Sequence, residues 1–302
     1  MSDGVLILAG ATASGKTPLA IELAEEFDAE IIGADSRQIY RGMPVGTAAP
    51  SAAELARVPH HLVAFLDPEE RYSAARYAVD ALRAIEAVRA RGKRAIVVGG
   101  TGFYIRALAG GVELAPQYDE ALRARLAAEA LLHPPEFLYE WLALRDPERA
   151  RALHRGDSYR VLRALEIALA RDTVPARTGA LRTLSSEGVP WLLLFLDVPP
   201  EELDERIAAR TQRMLDAGLL EEAERIGDRA VAANAVGYPQ ALGYLRGWST
   251  VREMRAALGR ATRRYARRQR AWFRNDPAAQ CCPPAGVAGA AREKLGWSAK
   301  RE

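Results

Sequence analysis

Of 302 residues only two are cysteine, and they are the neighbours Cys281 and Cys282. Adjacent thiols cannot build a disulfide framework, and without spaced partners they make no zinc site, so both read as inert residues of a reduced compartment. Histidine is almost as scarce. His60, His61, His133 and His154 share no ligand spacing on a common face, which argues against a histidine-based metal centre and leaves them structural or surface roles. No apolar run approaches the ~20 residues that cross a bilayer. The longest late run covers residues 191–198, and Met1-Ser2-Asp3-Gly4 places no basic segment ahead of the first one, so a soluble cytoplasmic protein, taken as a monomer, is expected. An excess of one charge is also missing: 42 basic against 39 acidic residues leave a net charge of +3. Any affinity for nucleic acid must therefore come from a local stripe and not from the total.

What is present is enough apolar residue, 49%, to bury one large domain plus an insertion. Residues 5–9 form a continuous apolar run that ends in a Gly/Ser/Thr loop, and Leu19, Ile21, Leu23, Ala24 and Phe27 then recur at helical spacing. Short apolar runs at 30–33, 94–98 and 191–198 alternate with helical patterns at 73–91, 201–230 and 250–273. Such alternation predicts an α/β fold, a parallel sheet flanked by helices with ligands at the carboxyl ends of its strands. Between about 118 and 186 strand patterns vanish, and Leu122, Leu126, Leu138, Leu142, Leu162, Leu165 and Leu169 mark a helical insertion. The expected division is therefore a core of 1–117 and 187–274, a helical insertion of 118–186, and a Pro-, Gly- and Ala-rich tail, 275–302, that is loosely ordered.

Two segments carry chemistry. Gly10-Ala11-Thr12-Ala13-Ser14-Gly15-Lys16-Thr17 completes the phosphate-loop pattern between a buried strand and a helix. There backbone N–H groups and a helix N-terminus cradle a diphosphate, Lys16 supplies a point charge, and the Thr17 hydroxyl can ligate Mg²⁺. The signal is strong for phosphate and silent on which phosphate. An ordinary phosphate-loop nucleotidase also has an acid at the end of a buried strand, yet the best candidate strand here runs Ile96-Val97-Val98-Gly99-Gly100-Thr101. A carboxylate stands instead after the second strand, in Ala34-Asp35-Ser36-Arg37-Gln38-Ile39-Tyr40; by itself it could cap a loop as well as do chemistry. The third feature is a predicted helix in which Arg260, Arg263, Arg264, Arg267, Arg268, Arg270 and Arg274 are interleaved with Tyr265, Trp272 and Phe273, with no acid between residues 260 and 274. Charge runs usually mark a solvated face, but a basic face with aromatics suits an RNA loop with splayed bases.

The phosphate loop followed by the Asp-Ser-x-Gln-x-Tyr block and the Val45-Gly46-Thr47 turn resembles the tRNA dimethylallyltransferases, also called tRNA isopentenyltransferases. The resemblance continues through Gly99-Gly100-Thr101-Gly102-Phe103-Tyr104, residues 157–166, the helix with Arg206, Arg210, Met214 and Gly218, Val236-Gly237-Tyr238, and Thr262-Arg263 to Arg274. It implies a P-loop NTPase-like core. It also implies transfer of a dimethylallyl group from dimethylallyl diphosphate to N6 of adenosine 37, beside the anticodon of tRNA, with Mg²⁺ as cofactor and the anticodon stem-loop as partner. By the same resemblance Asp35 is the general base, Ser36 and Gln38 orient the base, Thr101 organises the metal and diphosphate side, and Arg210 meets the leaving group. Gly10 to Thr17 hold the diphosphate. Contacts to tRNA fall to Asp35, Ser36, Arg37, Gln38, Tyr159, Arg160, Arg163, Gly237, Tyr238, Arg267, Arg268, Gln269 and Arg274. Two residues depart from the family pattern: Ala11 stands where proline is usual, and Pro239 where a basic or polar residue is usual, which removes a donor from a loop expected near tRNA. A small-molecule kinase, a prenyltransferase of free adenylates and an RNA-binding module with a vestigial phosphate loop are the competing readings.

Overall fold

The computed structural model describes residues 4–112, 120–170, 181–228 and 230–300. They fall into two compact units, Met1–Val112 with Leu181–Glu302, and Glu113–Ala180.

The first unit is built on a six-stranded sheet of order β3-β2-β4-β1-β5-β6 in which every pairing is parallel. Its strands are β1 (Val5–Gly10), β2 (Ala29–Gly33), β3 (His60–His61), β4 (Arg94–Gly99), β5 (Trp191–Leu196) and β6 (Ala279–Cys281). Leu6 of β1 sits opposite Ile96 of β4 on one side and Leu192 of β5 on the other. Strands covered on both faces need apolar side chains at every position, which is why β1 reads VLILAG and β5 WLLLFL without alternation. The strand order reverses at β1, between β4 and β5, so the carboxyl ends of these strands open a crevice there.

One face of the sheet is covered by α1 (Lys16–Phe27) and α14 (Val287–Leu295), where Leu6, Leu8, Ile96, Val98, Leu192 and Leu194 pack against Ile21, Leu23, Phe27, Val287, Ala291 and Leu295. After α2 (Pro44–Thr47) and α3 (Ala52–Arg57), the chain covers the other face with α4 (Ala74–Ala90), against which α5 (Gly102–Ala109) packs. The later helices of this unit are α10 (Pro200–Asp216), α11 (Leu219–Ile226), α12 (Tyr238–Leu245) and α13 (Val251–Arg274). The last of these begins in a capping box of Thr250 and Glu253 and stacks Phe273 on Phe195 of β5 at 5.3 Å. The single helical stretch expected over 201–230 is interrupted: Gly218, at φ +92°, turns the chain between α10 and α11, a conformation that a side chain disfavours.

The second unit contains α6 (Glu120–Leu132), α7 (Pro135–Arg145), α8 (Pro147–Arg151) and α9 (Ser158–Ala170). Leu126, Leu138, Leu142, Val161 and Leu165 form its own small core, as the leucine spacing predicts. No helix among the described residues is long and apolar enough to cross a membrane.

The expected boundaries differ from these units in two places. Residues 181–186 group with the sheet unit, because Leu184 is fully buried and its N–H donates to Leu108 O at 2.8 Å; the boundary expected at 117/118 lies outside the described residues. The tail is not loosely ordered through residue 300. It adds β6 beside β5, and α14 buries Val287, Ala291 and Leu295, spaced four apart, while Trp297 meets Phe27 edge-on at 5.4 Å. A nine-residue helix whose apolar stripe is only three side chains wide is hidden by its Gly, Ala and Pro neighbours.

Candidate active site

Between β1 and α1 the chain makes the turn that a phosphate loop requires, with Gly15 at φ +85° and Ala13 at φ +65°. A side chain at Gly10 would start 2.4 Å from the Ser14 hydroxyl, so the close approach of strand and loop needs glycine there. Lys16 donates to Ala11 O at 3.2 Å, while Thr17 lies in the first turn of α1. Burial lowers the Lys16 pKa to about 8; neighbouring Asp35 pulls it up, and Arg210 pushes it further down.

Asp35 follows β2 at the same edge of the sheet. Its Oδ1 accepts from the N–H groups of Arg37 at 2.9 Å and Gln38 at 3.4 Å, so the loop holds the carboxylate in place. The neighbouring loop after β4 is locked to it: Thr101 N donates to Ala34 O at 3.1 Å and Ser36 N to Thr101 Oγ1 at 2.9 Å. A Cβ on Gly99 would stand 2.0 Å from Ala34 O. Gly99 therefore serves a close backbone contact and not mobility.

The third wall comes from α13. Gln269 is buried, takes the Thr12 N–H on Oε1 at 2.8 Å and donates Nε2 to Gly100 O at 2.9 Å, tying the phosphate loop to the β4 loop. One turn earlier, Tyr265 lies within reach of Thr101, and burial together with Asp35 raises its pKa. Arg268 stacks over the Tyr265 ring at 5.8 Å.

The fourth wall comes from α10, whose Arg206 and Arg210 are four residues apart on one face. Arg206 donates to Ser14 O of the phosphate loop at 3.1 Å and pairs with Glu202. Arg210 donates to Thr47 O at 3.2 Å, and Gln38 Nε2 donates to Thr47 O at 3.2 Å and Ala48 O at 2.9 Å. The cleft between these walls is lined by Thr12, Asp35, Ser36, Arg37, Thr47, Arg210, Tyr265 and Arg268, with Met214, Val236 and Leu258 as its apolar side.

The structure thus brings Asp35, Ser36, Arg37, Arg210 and Arg268 to one cleft and sets the phosphate loop and Thr101 at its edge. Other residues expected to touch tRNA are elsewhere. Tyr238 is fully buried, with its hydroxyl on Glu222 at 2.8 Å. The Gly237 N–H is already taken by Gln240 at 3.0 Å. Pro239 removes no needed donor, since it occupies the first turn of α12, where a missing N–H is tolerated. Gln269 spends both ends of its amide on backbone. The arginines of α13 also divide. Arg263 pairs with Asp204 at 3.2 Å, and Arg270 (3.0 Å) and Arg274 clasp Asp197 beyond β5, whereas Arg260, Arg264, Arg267 and Arg268 are exposed. The acids that neutralise the first three come from other elements, so the helix's own sequence does not show them. In the second unit Tyr159 and Arg160 are exposed on α9, Arg160 beside Asp157 at 3.2 Å, and Arg163 pairs with Glu166 at 2.7 Å.

Three contributors received no role from sequence. Arg206 and Tyr265 carried a signal, each one helical turn from a residue that was singled out. Glu222 carried none: it is a buried carboxylate accepting from Val45 N at 2.9 Å, Gly46 N at 2.7 Å and Tyr238 Oη at 2.8 Å.

Comparison with known proteins follows the same lines. A family model described as IPP transferase matches residues 38–276. The chain is 45% identical to a tRNA dimethylallyltransferase of Anaeromyxobacter sp. (strain Fw109-5), over 93% of this chain and 94% of that protein. It is 40% identical to one from Geobacter sulfurreducens, over 91% and 90%. Its fold matches the full-length tRNA isopentenylpyrophosphate transferase of Bacillus halodurans with a TM-score of 0.70, 31% identity and 97% of each chain covered.

Proposed function

The chain belongs to the IPP transferase family, and we propose that it is a tRNA dimethylallyltransferase that modifies N6 of adenosine 37 with the prenyl group of dimethylallyl diphosphate. The observation that carries this reading is the position of Asp35, a carboxylate held by two backbone N–H groups and facing the same cleft as the phosphate loop's Thr12 and Arg210. The strand beside the loop, β4, ends in Gly99 and not in the acid of a nucleotidase. A base and a diphosphate cradle around one cleft suit displacement of a diphosphate by a weak nitrogen nucleophile.

In that reaction the N6 lone pair forms a bond to C1 of the prenyl group as the C1–O bond breaks, the electron pair leaves with diphosphate, and the N6 proton passes to Asp35. Lys16, Arg210 and the backbone N–H groups of residues 13 and 15–17 stabilise the charge that builds on the departing oxygen. Ser36 and Arg37 border the base, and Gln38 and Thr101 keep the loops of Asp35 in register. The apolar side of the cleft, Met214, Val236 and Leu258, suits the five-carbon chain. Thr17, in the first turn of α1 at the end of the phosphate loop, would offer its hydroxyl to a magnesium ion bound with the diphosphate. When bound, the ion neutralises diphosphate charge. The exposed Arg264, Arg267 and Arg268 of α13 suit the phosphates of the anticodon stem-loop, and in the second unit Tyr159 and Arg160 are exposed on α9 as further residues suited to RNA. The reading puts the enzyme in the cytoplasm with its tRNA.

The test is steady-state transfer of labelled prenyl to tRNA by Asp35→Ala. A positioned general base contributes about 10²–10⁴-fold, so kcat falls by that factor while tRNA affinity changes little. Near-normal turnover removes Asp35 from the mechanism.

A further inference from the structure

Glu222 of α11 is 3% exposed, and its surroundings are unusual for a carboxylate with no cationic partner at hydrogen-bond distance among the described residues. One oxygen, Oε2, accepts from Val45 N at 2.9 Å, and Oε1 accepts from Gly46 N at 2.7 Å and Tyr238 Oη at 2.8 Å. These are consecutive N–H groups of α2, the one-turn helix that ends at Thr47. The Tyr238 ring presses on the same turn, since a Cβ on Gly46 would stand 2.7 Å from it. The Thr47 hydroxyl closes the turn on Met43 O at 2.6 Å, which leaves the Thr47 carbonyl as the acceptor shared by Arg210 and Gln38. A buried charge is costly unless its hydrogen bonds are all made, and a turn built around one is correspondingly specific.

We infer that Glu222 is a positioning residue for the diphosphate end of the cleft: by fixing the Val45-Gly46-Thr47 turn it sets the carbonyl that aims Arg210. The inference rests on the reading that Arg210 meets the diphosphate. It adds that the aim of this guanidinium is set from α11, by a residue that touches no substrate. Arg210 is confined between Thr47 O, the charge of Asp35 and the neighbouring Arg213. With the turn released, it loses the acceptor that holds it toward the loop.

The test is a double-mutant cycle on binding of inorganic diphosphate to the full chain, followed by calorimetry. Glu222→Gln keeps the shape of the side chain but halves its acceptor capacity, and the expected result is a Kd raised about tenfold. Arg210→Ala raises Kd by a similar or larger factor, and the double variant matches Arg210→Ala within about a factor of two, because the second change acts only through the first. Tyr238→Phe, which removes one of the three donors and keeps the ring, repeats the cycle with a smaller effect and serves should Glu222→Gln fold poorly. A Glu222→Gln Kd equal to wild type, or effects that multiply in full with Arg210→Ala, overturns the inference. A purely structural role would lower the melting temperature without that coupling. Since the readout is inorganic diphosphate, the outcome is separate from whether wild-type protein prenylates tRNA.

Discussion

Replacing Gln269 with leucine separates the two roles open to that residue, an RNA contact or an internal clamp. The structure makes it a clamp: both ends of the amide are used, on Thr12 N at 2.8 Å and Gly100 O at 2.9 Å, and the side chain is 5% exposed. Leucine fills the space but leaves a buried N–H and a buried C=O unpaired. At ~1–3 kcal/mol for each such group, the loss is roughly 2–6 kcal/mol before relaxation. In a unit of this size each kcal/mol lowers the melting temperature by about 2–4 °C, so a fall of at least about 4 °C is expected. The freed Thr12 belongs to the phosphate loop, and affinity for prenyl diphosphate falls with it. Thermal melting and calorimetric titration with dimethylallyl diphosphate read both effects, and tRNA binding is measured alongside. A variant that melts like wild type, binds prenyl diphosphate normally and loses only tRNA would refute the clamp and restore the RNA contact.

Three further outcomes are expected from the same structure. With Lys16 lowered to about 8 by burial, its charge is lost as pH rises through 8 and regained when the anion binds, so prenyl diphosphate binding takes up a proton and weakens by up to about tenfold per pH unit above 8; calorimetry in buffers of different ionisation heat detects the uptake, and its absence in wild type would contradict the assignment. Arg264→Ala with Arg267→Ala flattens the slope of log affinity for tRNA against log salt by roughly 1.4, at ~0.7 per contact, whereas Arg270→Ala with Arg274→Ala leaves the slope unchanged and lowers the melting temperature by stranding Asp197; equal slopes for both pairs would mean the division is wrong. Trp297→Ala costs about 3–5 kcal/mol in chemical denaturation because the indole is buried on Phe27, and a cost below about 1 kcal/mol would show that the C-terminal segment does not pack.

The difference between what was legible and what was not has a physical pattern. Strands β1, β4 and β5 and the phosphate loop announce themselves because buried parallel strands are continuously apolar and the loop's chemistry is local. Asp35 and Arg210 are named through motif context, and they do share a cleft. Tyr238, Gln269 and Arg274 sit in equally recognisable motifs, yet their partners, Glu222, Gly100 and Asp197, are 16, 169 and 77 residues away. A motif marks a residue as constrained without saying whether substrate or packing constrains it. The tail shows the reverse case: β6 and α14 lack a strong pattern of their own, and their order comes from an already apolar sheet face and α1.

On the proposed function, one cleft joins a carboxylate base to a diphosphate cradle for prenyl transfer to RNA. Mass spectrometry of nucleosides from tRNA incubated with the protein, magnesium and dimethylallyl diphosphate, with ATP omitted, tests it most directly. Wild-type protein is expected to yield adenosine carrying one five-carbon prenyl group at N6 beside the anticodon, and Asp35→Ala to lose it. Unmodified tRNA from folded wild-type protein that binds dimethylallyl diphosphate, or prenylation that needs ATP hydrolysis, would contradict it.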